Sequence, residues 1–126
     1  MTIQNLGSKG TAVDILANDV VASTANGSGV DLQGYEGDAA FILSAEAGSS
    51  GVTYAVHLEE SADNSTFTDI SSGSFTTTSA NTASFQQIAL NISELKRYVR
   101  AVTTVAGGTG TGALTVLAYA SKKYTT

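Results

Sequence analysis

The stretch "VTYAVHLEES", residues 52–61, decides how the rest of the chain is read. Val52, Tyr54, Val56 and Leu58 fall on one parity, and Thr53, Ala55, His57 and Glu59 on the other. Side chains of an extended chain point alternately to opposite faces, so this alternation describes a strand with one apolar and one polar face. A helix would need apolar residues three and four apart, and no stretch of the sequence keeps that spacing over ten residues.

Upstream, "DAAFILSAEA" (38–47) alternates in the same way, with Ala39, Phe41, Leu43 and Ala45 on one face, and "GSSG" turns it into the stretch above. Strands are also predicted in "VVASTA" (20–25), "VDLQGY" (30–35), "TFTDI" (66–70, ended by "SSGS"), "FTTTSA" (75–80), "ASFQQIALN" (83–91), "RYVRAVTTVA" (97–106) and "GALTVLAYAS" (112–121). "NISEL" (91–95) fits one capped helical turn, and "GGTGTG" a connection whose glycines reach positive φ. About seven to nine short strands with Gly, Ser and Asn turns point to an all-β protein, an antiparallel β-sandwich or jelly roll. Residues 1–19 show no clean period and carry Gly7 and Gly10. They are expected to form an extended N-terminal arm that docks on its own domain or reaches to a neighbour, ahead of a sandwich domain over 20–126.

Composition narrows the function. A chain of 126 residues makes one domain and buries about two-thirds of its unfolded surface. It has no cysteine, which excludes disulfides and cysteine metal sites. The net charge is −5, and Lys96, Arg97, Arg100, Lys122 and Lys123 are scattered strand-end cations, too weak a field for nucleic acid. No apolar run approaches the ~18 residues of a membrane span, so no membrane partner is expected. "MTIQNLGSKG" lacks the basic flank and apolar run of a signal peptide, and synthesis in a cytoplasm is expected. Charged residues make up 13% of the chain, against ~25% in an average soluble domain, and a surface poor in charge suits broad contact with other subunits.

The one concentration of chemistry-bearing residues is "HLEESADNSTFTDI" (57–70), with the single histidine, Glu59, Glu60, Asp63, Asn64 and Asp69. On a strand, His57 and Glu59 share the polar face and Glu60 points the other way, so the two glutamates cannot act as a pair. "SADNS" reads as a hairpin turn in which Asp and Asn bond their own backbone. As a calcium loop counted from Asp63 it fails, with Phe67 at position 5, Thr68 at position 6 and Ser74 at position 12. "GGTGTG" lacks the lysine of a phosphate loop, and no "GxSxG" elbow occurs. No catalytic residue, metal ligand or cofactor is predicted, and the chain is expected not to be an enzyme.

"GALTVLAYAS" is unusual in being apolar on both parities. Leu114, Val116, Ala118 and Ala120 line one side; Ala113, Leu117 and Tyr119 line the other. A sandwich strand buries one face. Leu117 and Tyr119 are therefore the predicted contact between copies of the chain, unless a loop or the arm covers them.

"VDLQGYEGDAAFILSAEAG", "VTYAVHLEESADNSTFTDI" and "QQIALNISELKRYVRAVTTVAGGTGTGALTVLAYASKKY" together resemble small structural proteins of tailed bacteriophages, above all head-decoration, or cement, proteins with a sandwich body. The resemblance spans roughly residues 29–124 and rests on the acidic hairpin before "STFTDI", the capped turn "NISELKRYVR" and the Gly-rich hairpin before the last strand. It implies a virion protein on the capsid exterior, commonly a homotrimer, that clamps neighbouring copies of the major capsid protein. Ile3, Leu6, Val13 and Ile15 of the arm are then the expected capsid contacts. A second reading is a phage tail or fibre module recognising host-surface carbohydrate, with Tyr35, Glu36 and Asp38 as its platform.

Overall fold

The computed structural model describes residues 10–21, 25–48, 50–107 and 112–122, and these form a β-sandwich. Nine strands follow in order: β1 (Gly10–Val21), β2 (Ala25–Asn26), β3 (Val30–Asp31), β4 (Tyr35–Ala45), β5 (Thr53–Ser61), β6 (Thr68–Ser74), β7 (Ser84–Asn91), β8 (Tyr98–Ala106) and β9 (Gly112–Lys122). One sheet has the order β1-β9-β4-β7; the other has β2-β8-β5-β6, with β3 also paired to β8. All the pairings are antiparallel.

The alternation in the sequence becomes the core. Val52, Tyr54, Val56 and Leu58 face inward from the second sheet, and Ala39, Phe41, Leu43 and Ala45 face them from β4. Leu114, Val116, Ala118 and Ala120 of β9 complete the inner layer. Phe41, Leu43, Leu58, Leu114 and Val116 have no solvent exposure, and burying each such side chain contributes about 1.5–3 kcal/mol. Packing is tight enough to dictate glycine at Gly112, where a Cβ would lie 2.7 Å from the Tyr54 hydroxyl oxygen.

Three segments depart from the sequence reading. Residues 10–19 are not a separate arm: with Val20 and Val21 they form the edge strand β1, paired to β9 from Gly10↔Ser121 to Val21↔Gly112. Two register shifts, between Asp14 and Leu16 and between Leu16 and Asp19, break the alternation that would have revealed the strand. "VDLQGY" is a two-residue bridge followed by a turn, because Asp31 accepts from the Gln33 amide at 2.9 Å and Leu32 from the Tyr35 amide at 3.1 Å. "FTTTSA" is not a strand either, although "SSGS" just before it continues β6. Phe75 and Thr78 donate their amides to Val56 and Tyr54, while Gln86 of β7 grips both backbone groups of Thr76 at 2.8 Å. A side chain thus supplies the bonds a ladder would have made.

The capped turn is as expected. Asn91 accepts from the Ser93 amide at 3.0 Å and starts a single 3-10 turn, Ile92–Glu94. None of the helical structure among the described residues is long and apolar enough to cross a membrane.

Candidate functional site

Three surface regions have the composition to do something, and each is built by the sheet register. The first is a charged cluster on the outer face of the second sheet. His57 and Glu59 are two apart on β5, and Glu59 lies opposite Arg100 of β8 and opposite Asp69 of β6. The His57 Nε2 atom is 3.2 Å from Glu59 Oε2 and 3.4 Å from Asp69 Oδ1. Arg100 donates to Glu59 Oε1 through Nε at 2.8 Å, brings Nη2 to 2.6 Å, and stacks on the Phe67 ring at 4.0 Å. Burial pushes the Glu59 carboxyl up, but the bonds from Arg100 and His57 outweigh it and hold the group below its ordinary range.

His57, Glu59 and Asp69 each offer a ligand atom, all within 4.8 Å of one another, so the trio has the donor set for a cation. The guanidinium of Arg100 counts against that use. It already occupies one oxygen of Glu59, and its positive charge opposes a divalent ion a few ångströms away. Arg100 and Glu59 form the ion pair of the cluster, and His57 bridges the Glu59 and Asp69 carboxylates. Sequence spacing placed His57 beside Glu59, but Asp69 and Arg100 join them only through the register of two neighbouring strands.

The adjoining hairpin behaves as its composition predicts. Asp63 accepts from the Ser65 and Thr66 amides at 2.9 Å and from the Ser61 hydroxyl, and Asn64 sits at φ 59°. The Thr66 amide, with the Ser61 hydroxyl and the Ser65 amide, holds the Asp63 carboxyl below its usual range. These bonds describe a turn that supports itself. Glu60 points away from the cluster and accepts from the Lys96 amide at 2.9 Å.

The second region is a cleft of about 380 Å³ between the β3–β4 turn and the segment from the 3-10 turn to β8. Leu32 and Ile92, both buried, give it an apolar floor, and Tyr35 and Leu95 are half-buried beside them. Its rim is polar, with Gln33 and Glu36 on one wall and Ser93, Lys96 and Arg97 on the other. The walls are tied together. Leu32 donates to the Arg97 carbonyl at 2.8 Å, Gly37 donates to the Ser93 hydroxyl at 3.0 Å, and Arg97 makes two bonds to Asp31 at 3.1 and 2.8 Å. The Arg97 bonds, with the Gln33 amide, hold the Asp31 carboxyl low. Tyr35 and Glu36 of the expected platform therefore border this cleft; Asp38 stands apart from it, exposed on β4.

The third region is the outer face of the first sheet. Register aligns Ala12, Tyr119, Ala40 and Ala89 in one row across β1, β9, β4 and β7, and Asp14, Leu117, Ile42 and Gln87 in the next. Phe85 follows beside Ser44, with 73% of its surface exposed, and Tyr119 is 37% exposed. Among the described residues of these rows, charge stands at the margin, at Asp14 on the edge strand and Asp38 at the end of the β4–β7 ladder. Phe85 was missed in the sequence because "ASFQQIALN" has apolar residues on both parities and did not announce which one faced out.

The predicted contact residues divide. Leu117 and Tyr119 do lie on this outer face. Ile15 is 3% exposed and packs in its own core, so it offers nothing to a capsid, and Val13 packs against the same core while half-buried. Ile3 and Leu6 lie outside the described residues.

No family model matches the chain, and no curated protein matches it. Among solved structures it is similar to the crystal structure of SPBc2 prophage-derived protein YomS. The two superpose with a TM-score of 0.52 at 13% identity, over 87% of this chain and 92% of that one. What they share is the fold.

Proposed function

We propose that this chain is a non-enzymatic structural protein of a phage particle, a head-decoration protein that binds the outside of the capsid and clamps adjacent major capsid subunits. The observation that carries the reading is the outer face of the first sheet, where Phe85, Tyr119, Leu117, Ile42, Ala40 and Ala89 form an apolar field with charge at its margin. Isolated apolar residues on a surface are ordinary, but a contiguous patch with a polar rim has the anatomy of a protein contact. The prophage origin in the name of the YomS structure agrees with a phage source, as does the sequence resemblance to decoration proteins.

The physical logic is that of a clamp. A shell holding packed DNA is pushed outward, and a ligand that binds only the assembled lattice stabilises it by mass action. A homotrimer gripping several shell subunits gains from multivalency, since each further contact forms at high effective concentration. Leu117 and Tyr119 are the residues assigned to the contact between copies.

The test is to find the protein in intact particles by antibody labelling and electron cryomicroscopy, and to compare particles with and without it. Copies arrayed on the head, with empty sites and lower heat tolerance when the protein is missing, are the expected result. Finding it only on the tail or its fibres would replace the head assignment, and finding none in the particle would end the virion reading.

A further inference from the structure

We infer that the cleft between the β3–β4 turn and the 3-10 turn is a binding site for a neutral saccharide, which goes beyond a role in holding the shell. Three features point to that ligand class. The volume, about 380 Å³, lies at the small end of ligand pockets, the range of one or two sugar rings. Tyr35 and Leu95, half-buried beside the buried Leu32 and Ile92, offer the apolar surface on which the C–H face of a pyranose can rest. The rim supplies an amide at Gln33, a carboxylate at Glu36 and a hydroxyl at Ser93, which suit the mixed donors and acceptors of sugar hydroxyls.

Charge then selects among saccharides. Lys96 and Arg97 border the cleft with Glu36, and Arg97 is already paired with Asp31 at 2.8 Å. Two positive and two negative groups cancel, which removes the field a phosphate, sulfate or uronate would need. The walls are also fixed before any ligand arrives, through the Leu32–Arg97 and Gly37–Ser93 hydrogen bonds, so little ordering cost opposes binding.

The experiment is a ¹H–¹⁵N NMR titration of the whole chain with a panel of neutral methyl glycosides and, separately, uronic acids and inorganic phosphate. At least one neutral glycoside is expected to shift the amides of residues 32–36 and 92–97, with a millimolar dissociation constant typical of a single sugar. Tyr35 packs against the core, so Gln33→Ala and Glu36→Gln, on exposed side chains, carry the mutational test. Each should weaken binding by roughly tenfold while leaving the rest of the spectrum in place. Silence of the cleft up to about 50 mM of every neutral glycoside overturns the inference. So does a response that maps to the outer sheet faces, or a preference for uronate or phosphate. None of these results depends on whether the protein sits on a head or a tail.

Discussion

The two outer faces of the sandwich solve the same problem in opposite ways. On the second sheet, His57, Glu59, Asp69 and Arg100 satisfy one another, and Phe67 lies under the guanidinium. On the first sheet, Phe85, Leu117, Tyr119 and Ile42 present apolar area in the same relation to their strands. A face that completes its own bonds gains little from a partner. A face of exposed apolar side chains gains roughly in proportion to the area that a partner removes from water. The contrast separates what holds the fold from what is available for contact.

The largest expected effect comes from the layer both faces share. Phe41→Ala leaves a cavity between the sheets and should cost about 3–5 kcal/mol, measured by urea denaturation, with both outer faces lost at the same midpoint. Two separate transitions would show that the faces belong to independently stable sheets. Next is Arg100→Ala, which leaves the Glu59 carboxylate, 15% exposed, without its strongest partner. A loss of about 1–3 kcal/mol is expected at pH 7, and Glu59→Gln in the same background should recover part of it. A loss near zero would make the network ornamental and weaken the contrast.

Acid should act through Glu59 on the second face, Asp31 beside the cleft and Asp63 in the hairpin. Glu59, Asp31 and Asp63 are held below their ordinary range in the folded chain, so the unfolded chain takes up protons first as the pH drops. Their stabilisation is fully present above about pH 4–5 and disappears as the pH falls through the lowered folded values. Melting temperature should therefore be level from neutrality to about pH 5 and decline below it, less steeply in Arg100→Ala. An unchanged acid limb in that variant would remove Glu59 from the explanation.

Phe85→Ser should do the reverse, changing stability by under about 0.5 kcal/mol while weakening self-association or capsid binding in sedimentation and pull-down measurements. Leu117→Lys is a companion, since Asp14 lies across from it and can accept the new charge, whereas aspartate there would add repulsion between strands. Unfolding by either variant would show the face to be part of the core. The smallest expected effect is that of zinc, which should leave the melting temperature where it is because Arg100 opposes the ion. A zinc-dependent rise abolished by His57→Ala would turn the self-contained face into a ligand site.

Much of this was legible because a period of two is hard to counterfeit. "VTYAVHLEES" and "DAAFILSAEA" each fixed a strand and its buried parity, and the two apolar parities of "GALTVLAYAS" pointed to the outer face where Leu117 and Tyr119 lie. The failures have physical causes. Register shifts hid β1 in a segment read as an arm, and that error also put Ile15 on a capsid when its side chain fills its own core. The charged cluster needed Asp69 and Arg100 brought beside Glu59 by pairing, which no local pattern specifies. The cleft joins residues about sixty positions apart, and only Tyr35 and Glu36 had suggested it.

The pairing of the first and last described strands has a mechanical consequence. Gly10 lies beside Ser121, so the ladder begins where the two described ends meet. Tension applied at those ends would unzip the rungs in succession, starting at Gly10, instead of shearing them together. An attachment that carries tension through those strand ends would thus yield at low force, and a firm grip on any partner has to be taken through the broad sides of the molecule.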